Sequence, residues 1–464
     1  MKGKIIEKLQ IEDIADDGRS VTRHNGLVIF VDKAMPGDVV DVLITRKHNS
    51  YLEGRVTLRH ESSQFRIDAF CKHFGVCGGC KWQDMKYEAQ LHFKQKQVAE
   101  TMTRIGKISN VNVLPIIQSP QLKYYRNKLD YSFADKKFLT KEQYINIEEN
   151  KGPALGYHIP GRFDQVLDID ECFLQPAPSD AIRKSIREYA IKNNLPYMNI
   201  RGKKGLLRSL IIRNTLKGEL MVIVMVYDDD QATLSGLLSH IAESFPEITS
   251  LLYIINQKAN DTFHDLPVHV FKGKDHIMEE MEGLKFRIGP KSFFQTNPVQ
   301  TLSLYNTAQN FAALTGHQTV YDLYTGTGTI ANFVARQSKK VIGVDFVADA
   351  IADAKINSAI NDIENTSFFA GDMMALLTAD FFNTHGKPEV IITDPPRAGM
   401  HFDVVSQLAK SQAERIVYIS CNPSTQARDV QLLDESYDVV KVQPVDMFPH
   451  TAHVESIALL LKKQ

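Results

Sequence analysis

Cysteine is scarce in this 464-residue chain, tryptophan occurs once, and neither sign of charge is in surplus. The five cysteines, Cys71, Cys77, Cys80, Cys172 and Cys421, are odd in number and mostly clustered, which argues against a disulfide framework and for metal binding or catalysis. No uninterrupted apolar run approaches the ~20 residues of a membrane span. The lysine-bearing N-terminus lacks the apolar core of a secretion signal, so a cytoplasmic protein without a membrane partner is expected. Lys plus Arg number 54 against 55 Asp plus Glu, and net charge therefore gives no vote for a polyanionic partner. The distribution says more. Residues 71–140 hold 12 Lys/Arg against 5 Asp/Glu, and Arg201, Lys203, Lys204, Arg208 and Arg213 follow one another with no acid between them. Local basic surface is expected there, of the kind that binds nucleic acid.

The length suggests about three domains, and 43% hydrophobic with 23% charged residues is a globular composition. Residues 1–60 alternate short β-rich runs, Lys4–Ile11, Leu27–Val31, Val39–Thr45 and Tyr51–Arg59, with turn signals at Asp17-Gly18 and Pro36-Gly37-Asp38, which predicts a small β-barrel. A central α+β region, 61–280, opens on the cysteine cluster and a helix over about Lys86–Ile105. From 281 to 464 seven strand-like runs alternate with helical patterns, and a doubly wound parallel sheet is expected, with its ligand crevice at the carboxyl ends of the strands.

The chemistry gathers at those ends. The first strand runs into Asp322-Leu-Tyr-Thr-Gly326-Thr-Gly328-Thr-Ile330, a glycine-rich turn before a helix, and the second ends at Asp345, where an acid can hold ribose hydroxyls. A dinucleotide site would set a third glycine where Ala331 stands, so the short loop fits S-adenosylmethionine better. Asp372 follows the third strand, on the adenine side. After the fourth comes Asp394-Pro-Pro-Arg397, and after the fifth Ser420-Cys421-Asn-Pro423, a thiol beside the same crevice. Carbon 5 of a pyrimidine is too poor a nucleophile to attack a methyl sulfonium unaided; thiolate addition at carbon 6 activates it, and a base must then remove the carbon 5 proton. Glu455 is the candidate base, with His453 second. The spacing Cys71-x5-Cys77-x2-Cys80, with Cys172 distant, suits either zinc or an iron–sulfur cluster.

At these residues the chain resembles the RNA uracil-C5 methyltransferases, which make 5-methyluridine in ribosomal or transfer RNA. The likeness spans essentially the whole chain: a TRAM-type barrel, the cysteine cluster, Tyr125-Arg-Asn-Lys128, Arg208-Ser-Leu-Ile-Ile-Arg213, Phe294-Gln295-Thr-Asn297-Pro298, the Asp394 and Cys421 loops and the Glu455 segment. It implies a Rossmann-like C-terminal domain with cofactor contacts from Gln295, Tyr324, Gly326, Gly328, Thr329, Asp345, Asp372 and Asp394. It also implies Cys421 as nucleophile, Glu455 as base, and a [4Fe-4S] cluster on Cys71, Cys77, Cys80 and Cys172. Tyr324 stands where many members have phenylalanine and Thr329 where some have asparagine. The barrel and cluster together resemble the 23S ribosomal RNA branch, with no obligate protein partner. A transfer-RNA methylase and a non-catalytic RNA-binding assembly factor are the alternatives.

Overall fold

Strands Val39–Lys47 and Tyr51–Glu61 begin by burying every second residue, the period-2 pattern of a half-buried sheet. In the computed structural model, which describes residues 2–140 and 142–464, they join Ile5–Gln10, Asp13–Ile14, Ser20–His24 and Leu27–Asp32 in one six-stranded sheet. It wraps around Ile29, Val31, Val40, Val42, Ile44 and Leu52.

The central domain is a seven-stranded sheet in the order His269–Gly273, Ser250–Ile255, Leu220–Val226, Leu207–Asn214, Lys128–Ala134, Ala154–Ile159, Arg162–Asp168. Leu210, Ile212, Val222 and Val224 share a core with residues of helices Ser179–Lys192 and Gln231–Ser244; Ile211, Met221, Ile223 and Met225, on the opposite face, join the core of the C-terminal domain. The expected basic run divides accordingly. Arg208 donates to the carbonyls of Asn256, at 2.6 Å, and Lys258, at 2.7 Å, while Arg213 donates to those of Gly289, at 3.1 Å, and Ser292, at 2.9 Å. Both are buried and clamp loops, so only Arg201, Lys203 and Lys204 offer charge to the surface.

The C-terminal sheet has seven strands: β1 Thr319–Leu323, β2 Lys340–Asp345, β3 Thr366–Ala370, β4 Val390–Thr393, β5 Arg415–Ser420, β6 Tyr437–Val445 and β7 Glu455–Lys462. Their order is β3-β2-β1-β4-β5-β7-β6. The doubly wound, Rossmann-like expectation holds, but the sheet is not wholly parallel: β7 runs antiparallel to both β5 and β6. Only nine residues, 446–454, join β6 to β7. A parallel crossover needs a dozen or more, so the chain turns straight back.

Helix Tyr87–Arg104, within the span expected to be the central domain, reaches into the C-terminal core. Its Val98 and Met102 pack into the C-terminal core with Tyr321, Leu323 and Val442, while its Ala89 and Phe93 pack with Trp82 and Met85. The hairpin Ile277–Met281/Leu284–Ile288 straddles the expected 280/281 boundary and also contributes to a C-terminal core, through Ile277 and Phe286. The helix is fastened by charge. The Lys94 ammonium, with no exposed surface, donates to Asp446 at 2.6 Å and to the carbonyl of Phe448 at 3.0 Å. Tyr87 donates to the other Asp446 oxygen at 2.8 Å. Lys94→Met would leave the Asp446 carboxylate buried and uncompensated, so the urea midpoint should fall by an amount worth roughly 3–5 kcal/mol. The double change Lys94→Met/Asp446→Asn should recover most of it.

Candidate active site

The crevice at the carboxyl edge of the C-terminal sheet begins where β1 ends. Asp322, with no exposed surface, accepts hydrogen bonds on one oxygen from the Thr325 hydroxyl, at 2.5 Å, and the Ala331 N–H, at 3.0 Å. Its other oxygen, Oδ1, has no partner among the described residues. Three alternate residues at positive φ carry the chain around this acid: Tyr324 at +61°, Gly326 at +54° and Gly328 at +74°. A Cβ on Gly328 would lie 2.9 Å from that of Ala354, while one on Gly326 would meet nothing. The second glycine is therefore needed for packing on the next helix, and the first leaves open space on the crevice side. Thr329 opens the helix Thr329–Ala335, and its hydroxyl lies 3.1 Å from that of Tyr305.

Asp345, ending β2, accepts from the N–H groups of Gly326 and Val347, both at 2.9 Å. The residue after it, Phe346, is 75% exposed, and no sequence signal marks it as a site residue. Asp372, past β3, accepts from the N–H of Met374 at 2.8 Å and caps a short helix. Gln295 is buried, its carbonyl held by the Asn127 amide at 3.0 Å. Asn297 in turn donates to the Met447 carbonyl at 2.9 Å. The Tyr125-Arg-Asn-Lys128 and Phe294-Gln295-Thr-Asn297 motifs thus meet the segment that leads into β7.

Cys421 and Glu455 meet through strand register. Ser420 of β5 pairs with Ser456 of β7, so Cys421, just past the end of β5, lies at the level of Glu455, the first residue of β7. Burial is the main cause that pushes the Cys421 thiol up to about 11, with Glu455 and Asp394 adding and Arg397 opposing. Burial, then Asp394, pushes the Glu455 carboxyl up to about 8, again against Arg397. Asp322 and Asp394 are each driven to about 7, principally by desolvation. Three raised carboxyls around one crevice, one of them with an unpartnered oxygen, make a site that favours a cationic guest. Arg397 lies 3.4 Å from the His453 ring nitrogen, and its carbonyl accepts from Asn422 at 3.0 Å, which ties the Asp394 loop to the Cys421 loop.

The four remaining cysteines lie near one another. Cys71, Cys77, Cys80 and Cys172 are half-buried free thiols. Cys77 and Cys172 pack on the same Ile159–Leu167–Ile169 cluster. Burial pushes Cys80 up to about 12 and Cys172 to about 11, with the neighbouring thiols adding to both. The Cys77 N–H donates to the His73 carbonyl at 2.9 Å, and the Cys172 N–H to Asp180 at 2.9 Å. Among the described residues no three His, Cys, Asp or Glu side chains converge as a single bound ion requires.

The family model for tRNA (Uracil-5-)-methyltransferase matches residues 270–464, and the TRAM domain model residues 1–57. An uncharacterized RNA methyltransferase of Bacteroides thetaiotaomicron is 54% identical over 451 residues, 96% of this chain and 99% of the relative. One from Porphyromonas gingivalis is 50% identical over 462 residues, 98% of this chain and 99% of the relative. Among solved structures, the Pyrococcus abyssi tRNA (uracil-54, C5)-methyltransferase in complex with S-adenosyl-L-homocysteine aligns with a TM-score of 0.74 and 26% identity, over 97% of this chain and 99% of that one. With about half its residues shared end to end with RNA methyltransferases, and a uracil-5-methyltransferase model matching the domain that holds the crevice, the chain belongs to the RNA (uracil-5-)-methyltransferase family and carries a TRAM domain at its N-terminus.

Proposed function

We propose that the protein methylates carbon 5 of a uridine in RNA, through a covalent bond from Cys421 to carbon 6 and removal of the carbon 5 proton by Glu455. The observation that carries this reading is the β5–β7 register, which sets the thiol beside a carboxyl held near 8, a value suited to a base working near neutral pH. S-adenosylmethionine, when bound, supplies an electrophilic methyl group. Its sulfonium and amino charges suit a crevice of raised acids, and Gln295, Tyr324, Gly326, Gly328, Thr329, Asp345, Asp372 and Asp394 would hold it. Phe346 is free to cover an adenine face.

The protein's own part runs as follows. Cys421 adds to carbon 6, the carbon 5–carbon 6 electron pair moves into an enolate, and carbon 5 takes the methyl group. Glu455 removes the carbon 5 proton, the double bond re-forms, and the thiolate leaves. Target access requires the uridine to leave its stack. Cys71, Cys77, Cys80 and Cys172 would hold the [4Fe-4S] cluster: they are half-buried neighbouring thiols whose ionisation burial opposes, which a cationic iron core would offset. Methyl transfer uses none of them.

Both Cys421 and Glu455 have raised values, so the active, deprotonated forms gain population as pH rises. Multiple-turnover rates should climb from pH 6 through about 8 as Glu455 ionises, and keep rising toward about 11 as Cys421 does. Because Arg397 lowers both groups, Arg397→Ala should displace that climb to higher pH. A flat profile would count against these two residues as the ones that titrate.

The RNA proposed is 23S ribosomal RNA, on the joint presence of barrel and cysteine loop. Transfer RNA is the second reading, favoured by the likeness to the Pyrococcus abyssi enzyme across 97% of the chain. Mass spectrometry of both RNA classes from cells lacking the protein decides between them: 5-methyluridine should vanish from ribosomal RNA, whereas loss from transfer RNA alone would establish the second reading. No loss from either would overturn uracil methylation.

A further inference from the structure

Beside the cysteine loop lies a group of rings that methyl transfer does not use. Phe70 precedes Cys71, and Phe173 follows Cys172. The two rings meet edge to face, centroids 5.2 Å apart. The Lys123 ammonium sits 4.1 Å from the centre of Phe70 and 5.2 Å from that of Phe173. Lys123 is exposed, and among the described residues no carboxylate lies within ion-pair distance of it. Tyr124 completes the group, 6.1 Å from Phe173, with 44% of its surface exposed. Its φ of +57° is unusual for an aromatic residue, and its N–H is fixed on the Phe173 carbonyl at 2.7 Å.

This group is continuous with the catalytic segment. Phe70 packs on His450 with centroids 5.2 Å apart. The His450 ring lies 3.0 Å from the Leu122 carbonyl, and the Tyr125 hydroxyl donates to the Pro449 carbonyl at 3.1 Å. Four residues separate His450 from Glu455. A ring held at a fixed angle, a second and third ring around it and an unpaired cation are what a stacked base and its phosphate need.

Resting on the RNA-methylation reading, we infer that Tyr124 and Lys123, backed by Phe70 and Phe173, form a stacking platform for an unpaired nucleotide flanking the target uridine. The base stacks on Tyr124 and the phosphate meets Lys123. The segments bearing Cys71 and Cys172 hold the platform in place, which gives the thiol site a part in RNA recognition without a part in the chemistry.

The test uses the full-length protein and the unmodified RNA that it methylates. The affinity for RNA is measured by fluorescence anisotropy over a salt series, alongside KM and kcat. Tyr124→Ala should raise both Kd and KM about tenfold or more, the scale of one stacked base, with the loss in KM and not in kcat. Tyr124→Phe keeps the ring and should restore binding to within about twofold, while Tyr124→Leu, which keeps bulk alone, should not. Lys123→Gln should reduce the slope of log Kd against log salt by about one phosphate contact. Wild-type affinity in both Tyr124→Ala and Lys123→Gln, or equal losses in Tyr124→Ala and Tyr124→Phe, would overturn the platform. If RNA is bound through Tyr124 yet receives no methyl group, the methylation reading falls and the platform stands.

Discussion

Alanine in place of Cys421 should abolish methyl transfer, with a loss on the order of 10⁴-fold or more, the scale on which removing the nucleophile disables other covalent enzymes. The size follows from what carbon 5 lacks. Without addition at carbon 6 there is no enolate, and no other group in the crevice can donate electrons into the ring. Folding should be unaffected. Cys421 is half-buried, and the loop around it is fixed by other atoms: Asn422 caps the helix Pro423–Leu433 through the Ser424 N–H at 3.1 Å, and Thr425 donates to the Arg397 carbonyl at 3.3 Å. The measurement is transfer of labelled methyl to RNA, with a thermal melt as control. Serine should be nearly as inactive, since its hydroxyl ionises far less readily than a thiol in this acid-lined site. Residual activity above about a hundredth of wild type would rule out a covalent route through Cys421.

What the sequence reveals here, and what it hides, follows from where each signal resides. The loop Asp322–Gly328 is legible because an apolar strand, two glycines and a helix lie next to one another in the chain. The pairing of Cys421 with Glu455 is legible from chemistry alone, since a thiol nucleophile in this reaction demands a base. The geometry that brings them together is not, because it depends on β7 running antiparallel, and that direction is decided by a short connection between strands. Asp322 reads as an ordinary strand-end acid until its unpartnered oxygen is seen in three dimensions.

Strand Ser20–His24 escapes a hydrophobicity reading because its inward positions are Ser20 and Thr22. Their hydroxyls donate to the Ala34 and Gln10 carbonyls, at 2.8 and 2.6 Å, and so enter the barrel without penalty. The packing of helix Tyr87–Arg104 on the C-terminal core is hidden for a related reason. Its buried face includes Gln90 and Lys94, which look like solvent residues. The partner that neutralises Lys94 is 352 positions away, beyond the reach of any local pattern. In both places polar groups are buried because a distant atom satisfies them.

Glutamine at Glu455 should stop the cycle at a different point from alanine at Cys421, and the contrast between the two separates their roles. Methyl transfer to carbon 5 precedes proton removal, so a protein without the base still adds Cys421 to carbon 6 and still takes the methyl group. It cannot then lose the carbon 5 proton, and the thioether bond to the RNA persists. The substitution also removes one of the charges that hold the Cys421 thiol up near 11, so thiolate attack should become easier while release fails. Multiple turnover should drop by about 10³-fold, within the range that general-base loss produces. A protein–RNA band should survive denaturing electrophoresis, and its mass should equal protein plus RNA plus one methyl group, less the thiol proton. The double variant with Cys421→Ala should give no such band. If Glu455→Gln turned over freely the base would lie elsewhere, with His453, across from Arg397, next in reach. If it neither turned over nor formed the adduct, Glu455 would be acting before the attack, as the acceptor of the thiol proton, and the order of steps proposed for this crevice would have to be rewritten around that transfer.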